Sequence, residues 1–108
     1  MKFDWNEERV VAFREQINNI LWNIWDPIGV NHEPGAFGEY DSYGIDILIM
    51  LFEKDISMKQ LDEYLTWASH TNMGLPLICE HQQTCREITC QKIFEVWNKF
   101  RENLALMK

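Results

Sequence analysis

Between Arg14 and Lys54 the 108-residue chain has no lysine and no arginine, while seven acids (Glu15, Asp26, Glu33, Glu39, Asp41, Asp46 and Glu53) fall in the same stretch. A surface built from that stretch has no base of its own to cancel its negative potential. Over the whole chain 17 acids stand against 10 bases, a formal charge of −7. Such a balance repels the phosphate backbone, so direct nucleic-acid binding is not expected. The imbalance is one-sided, because the first 55 residues hold eleven acids and four bases and the remainder six of each.

Long apolar runs are also missing. The longest, Ile47 to Phe52, is six residues, against the roughly 20 that a bilayer requires. No membrane span is expected, and the first 14 residues have no apolar segment of the kind a secretory signal needs. A cytoplasmic protein is the expectation. Cysteine is sparse: Cys79, Cys85 and Cys90 form an odd set, which favours free thiols over a disulfide framework.

Catalytic motifs are absent as well. No glycine-rich phosphate loop, G-x-S-x-G elbow or H-E-x-x-H pair occurs, so the chain is not expected to be an enzyme or to need a cofactor. Cys79, His81, Cys85 and Cys90 are soft ligand types, but Cys85 and Cys90 lie five positions apart on one helix and point in different directions. Cys90 also belongs to an apolar stripe, and no metal site is expected. A nucleophilic cysteine would need a base such as His81 and an electropositive niche, neither of which the sequence displays. Capping and surface charge account for the neighbouring acids Glu39 and Asp41 without catalysis.

What is present is apolar and aromatic. Hydrophobic residues make up 46% and aromatics 13%, enough for one folded domain spanning residues 1–108 and too much for a disordered chain. From Asn6 to Trp25 the residues Val10, Phe13, Ile17, Ile20, Leu21 and Ile24 recur at three- and four-residue steps, the stripe of a first helix. Asp4 with Glu7 forms a capping box, and Pro27 ends the helix near Trp25. Residues 26–44 then hold two of the three prolines and four of the five glycines. That stretch reads as a long acidic loop, ordered because Phe37, Tyr40 and Tyr43 can pin it to the core.

Asp41 as N-cap, with a Tyr40–Ile45 staple, starts a second helix over about Ser42 to Lys54. Ser57 and Gln60 cap a third, whose face Met58, Leu61, Leu65 and Ala68 runs to about His70 before Asn72, Gly74 and Pro76. Thr84 and Glu87 open the last helix, lined by Cys90, Ile93, Val96, Trp97, Phe100 and Leu104. The expected architecture is all-α, a compact four-helix domain with a long ordered acidic loop between helices one and two.

The segments Trp25-Asp26-Pro27-Ile28-Gly29-Val30 and Glu39-Tyr40-Asp41-Ser42-Tyr43 resemble a small bacterial helical family that carries a WDPIG motif and a downstream EYDSY. With Met73-Gly74-Leu75 the resemblance covers about residues 22–75. Members of this kind occur among toxin immunity proteins, including those of contact-dependent growth inhibition. The resemblance implies an immunity protein whose partner is a cognate toxin domain. On the residues themselves, Trp25, Pro27 and Asp41 read as architectural. The charge and the aromatic anchors of a binding surface then fall to Glu33, Phe37, Glu39, Tyr40, Tyr43 and Asp46. A cationic nuclease is the target that an acidic face suits best. The alternative is a non-catalytic helical adaptor or regulatory subunit for a basic partner.

Overall fold

The computed structural model of the chain describes residues 7–27, 29, 33–36, 38–75 and 80–106, with the side chains of residues 34 and 104–106 left aside. Helix α1 spans Glu8–Ile20 and buries Val10, Phe13 and Ile17. Its cap differs from the expected box. Asp4 lies outside the described residues, and Glu7 caps the helix by accepting from the backbone N–H groups of Arg9 and Val10. The Arg9 guanidinium, 2.8 Å from the same carboxylate, holds the Glu7 carboxyl below its ordinary range.

After Ile20 the helix widens into a π turn, Leu21–Trp25, closed by the Asp26 N–H donating to the Leu21 carbonyl at 2.9 Å. Leu21 and Trp25 are both buried there, one turn apart. The chain leaves through Asp26, whose φ of 28° lies in the region non-glycine residues avoid, directly before Pro27.

Helix α2, Asp41–Lys54, starts one residue earlier than expected. Asp41 is its first helical residue and not its cap, and Tyr40 in the cap position makes no side-chain capping bond. Gly38, at φ 96°, turns the chain so that the Asp41 N–H donates to the Gly38 carbonyl at 3.1 Å. Asp41 then places its charge in the first turn, where the helix dipole favours an acid. The Tyr40–Ile45 staple does not form: Tyr40 is buried and Ile45 is 41% exposed. Asp55 ends the helix in the left-handed region, at φ 44°.

Helix α3, Met58–Trp67, has both halves of the expected Ser57–Gln60 capping box. It runs on as a second π turn, Ala68–Asn72, closed by the Met73 N–H on the Ala68 carbonyl. Leu61, Leu65 and Ala68 are buried, whereas Met58 is 43% exposed. Helix α4, Glu80–Leu106, is 27 residues long. At 1.5 Å per residue it measures about 40 Å, which accounts for most of the molecule's 45 Å length; the 19 Å thickness is that of two helix layers. The Thr84–Glu87 pair lies inside this helix and does not cap it.

Helix α4 packs against α1, its π turn and α3, while α2 packs on α1. An aromatic cluster fills the centre, with Phe13 stacked on Phe100 at 4.7 Å and close to Trp97 and Phe52. Cys90, Ile93, Trp97 and Phe100 are buried as the stripe required; Leu104 has no described side chain. The buried Thr89 hydroxyl satisfies itself on the Cys85 carbonyl at 2.6 Å. Among the described residues there is no strand, and the all-α four-helix architecture holds.

Gly44, counted with the glycine-rich stretch but inside the expected second helix, lies within α2 at the crossing with α1. A Cβ there would overlap the Asn18 amide oxygen, an atom buried with no hydrogen-bond partner among the described residues. In a helix free of neighbours, Gly→Ala stabilises by about 1 kcal/mol. Gly44→Ala is expected to forfeit that gain, and Asn18→Ala in the same chain to restore it. Urea unfolding of the two single variants and the double variant should give a coupling of about 1 kcal/mol. Additive effects would show that the two side chains do not meet.

Candidate functional site

The two motifs meet in space. The Trp25 ring lies edge-on to Tyr40 at 5.3 Å and to Tyr43 at 5.6 Å, and Trp22 approaches Tyr40 at 6.2 Å. The Tyr40 hydroxyl donates to Asp26 Oδ1 at 2.7 Å. Tyr40 is only 1% exposed, so the expectation that it contacts a partner is corrected: it joins α2 to the end of α1. Tyr43 is half-buried, and its hydroxyl accepts from the Asn72 side-chain amide at 2.6 Å. Glu33, Glu39 and Asp46 are exposed, and Phe37 lies outside the described residues.

Helical spacing decides what α2 shows to solvent. Gly44, Ile47, Leu48 and Leu51 face the core. Ser42, Ile45, Asp46, Ile49 and Glu53 fall on the opposite side, with Asp41 at its edge. Of these, Ile45 is exposed and Ile49 half-buried, so a short apolar strip runs along the helix between three acids. Toward α1 the strip borders a groove of about 560 Å³ lined by Arg14, Glu15, Asn18, Asn19, Asp41 and Ile45. Toward α3 the Tyr64 hydroxyl donates to Asp46 at 2.8 Å, and burial together with the Asp46 carboxylate pushes the Tyr64 phenol up. Trp67, 47% exposed, lies 5.7 Å from the Tyr64 ring.

Neutralisation of this face by the basic second half is small among the described residues. Arg86 pairs with Asp62 at 2.7 Å and Lys92 with Glu95 at 3.9 Å, both acids of that same half. Arg101 reaches Asp55 at 3.7 Å, beyond the C-terminal end of α2. Within the groove Arg14 is the one base.

The sequence reading missed Ile45, Ile49 and Trp67 as surface residues. An almost unbroken apolar run hides which side of a helix is out; the phase was available only from the acids at 41, 46 and 53.

The cysteine region departs from expectation in one respect. Because α4 begins at Glu80, His81 and Cys85 stand one turn apart on it, with Nε2 and Sγ separated by 3.7 Å. Cys90 points into the core, where burial, with the Asp62 charge adding to it, pushes its thiol up to about 12. Cys79 lies outside the described residues. Among the described residues no three metal-ligating side chains converge, and no helix is long and apolar enough to cross a membrane. Comparison of the chain with family models, with curated proteins and with solved structures finds no match.

Two outcomes test these assignments. Tyr40→Phe should lower stability by about 1–3 kcal/mol, the cost of a buried bond to a carboxylate losing its donor, as read by urea unfolding. For Cys90, both states keep the thiol proton below the ordinary value of 9.0; between that and about 12 only the unfolded chain releases it. Stability should therefore fall as pH rises through this window, and Cys90→Ala should flatten part of the slope in pH-dependent melts.

Proposed function

We propose that the protein is a non-catalytic binding module that captures a cationic protein on the outer side of α2. In its finer form the reading is an immunity protein that neutralises a cognate bacterial toxin by direct binding. A nuclease suits the role, since a cleft that gathers phosphate is positive. The observation that carries the reading is the strip of exposed Ile45 and half-buried Ile49 between Asp41, Asp46 and Glu53, beside a groove that adds Glu15. The likeness of Trp25–Val30 and Glu39–Tyr43 to a family with immunity members supports the finer form.

Charge and apolar surface divide the work. Carboxylates around the strip raise the encounter rate with a positive partner. The isoleucines, with Trp67 on the adjoining helix, supply contacts that are dehydrated once the partner is seated. The one-turn spacing of Ile45 and Ile49 also suits an amphipathic basic helix, which is the surface an adaptor would need. Chemistry does not separate the two forms; the partner's identity does.

The test uses the protein encoded beside this one, taken as the toxin. The side chains of Glu15, Glu39 and Glu53 make no hydrogen bond or ion pair among the described residues, so Glu15→Lys, Glu39→Lys and Glu53→Lys combined should leave the melting curve close to that of the parent. Association at low salt should slow about tenfold or more, and its salt dependence should flatten. Stopped-flow binding over a salt series reads both. An unchanged rate and slope would remove the acidic face from the mechanism.

A further inference from the structure

We propose that His81 and Cys85 form a two-ligand site for a soft transition-metal ion, of the zinc(II) or copper(I) class, on the exposed opening turns of α4. It stands apart from the α2 face and does not rest on the function assigned to it. Residues four apart share one side of a helix, and the start of α4 at Glu80 puts His81 into that register with Cys85.

A tetrahedral ion with a metal–nitrogen bond of about 2.0 Å and a metal–sulfur bond of about 2.3 Å holds its two donors about 3.5 Å apart. The His81 Nε2 to Cys85 Sγ distance is 3.7 Å, so both can bind one ion with almost no backbone movement.

His81 is exposed and Cys85 half-buried, whereas Cys90, in the core, is closed to an ion arriving from solvent. Imidazole and thiolate are the donor types these metals select. On binding, the Cys85 thiol gives its proton to solvent and the sulfur lone pair forms the metal bond. A site with two protein donors leaves the other positions to water, and its ion is exchangeable rather than a fold-forming staple.

Cobalt(II), added to the reduced full-length chain in the presence of a phosphine reductant, is the probe. A thiolate-to-cobalt absorption band should appear in the near ultraviolet and saturate at one ion per chain. Cys85→Ser should abolish it, His81→Ala should weaken affinity about tenfold or more, and Cys90→Ala should leave it intact. No band in the parent, a band that survives Cys85→Ser, or affinity unmoved by His81→Ala would each overturn the site. A measurement on the unaltered protein guards against misfolded variants: zinc should protect Cys85 from alkylation as mapped by peptide mass spectrometry, and equal alkylation with and without zinc would also overturn it.

Discussion

The hydrogen bond from the buried Tyr40 hydroxyl to Asp26 is the constraint on which the arrangement of this domain depends. Asp26 sits at a positive φ before a proline, a backbone state that persists only when its surroundings impose it. Tyr40 imposes it from the far side of the loop, and the Trp25 ring, edge-on to both tyrosines, closes the space between. Because Tyr40 immediately precedes α2, the same contact sets the rotational phase of that helix. Gly44 against Asn18, one turn further on, holds the phase where α1 and α2 cross. Asp41, Ile45, Asp46, Ile49 and Glu53 are thus outward for reasons that lie on the buried side. Motif residues that look like a binding surface are instead packed against one another beneath the outer side of α2.

The electrostatics follow from where the chain spends its bases. Arg86 and Lys92 meet acids of their own half, and Arg101 lies 5.2 Å over the Trp97 ring while reaching toward Asp55 at the end of α2. The middle of α2 gains nothing from them. A charge asymmetry along the sequence becomes an asymmetry in space because α2 lies along α1, itself poor in bases after Arg14, and meets the long basic-and-acidic α4 through the apolar ring of Phe52. Asp26 is engaged internally, so the effective face is smaller than the count of seven acids between Arg14 and Lys54 suggests.

The helices were legible wherever one apolar stripe met one clear stop. Val10, Phe13 and Ile17 revealed α1, the Ser57–Gln60 box revealed the start of α3, and Cys90 to Phe100 revealed the buried side of α4. Caps that depend on chain direction were not legible. Asp41 and Thr84 each have the composition of an N-cap, but a turn at Gly38 and a helix already running from Glu80 make both of them helical. The two π turns left no trace in the pattern, since Leu21 and Trp25 keep a four-residue spacing either way. Tyr40 was misread because an aromatic beside acids looks like an interface anchor. Its hydroxyl, which a buried ring must satisfy, found Asp26 fourteen residues upstream, a pairing that local spacing cannot express.

An acidic face alone does not make an inhibitor. Exposed charges accelerate encounter and fade with salt, and the pairs they form at a rim contribute little to residence. Retention needs surface that loses water, and on this face, among the described residues, that surface is narrow: two isoleucines on α2 and one tryptophan on α3, joined through Tyr64 and Asp46. Asp46 sits between them already bonded to a phenol, so its carboxylate is oriented before any partner arrives and has less freedom to lose on binding. A partner that places an arginine on Asp46 and an apolar side chain over Ile45 and Ile49 would use both properties at once. A uniformly basic surface such as a polycation would use only the first and would be released by modest salt. In the binding role proposed for it, selectivity for a folded protein over nonspecific cations would rest on the few uncharged residues of this face, not on its net charge.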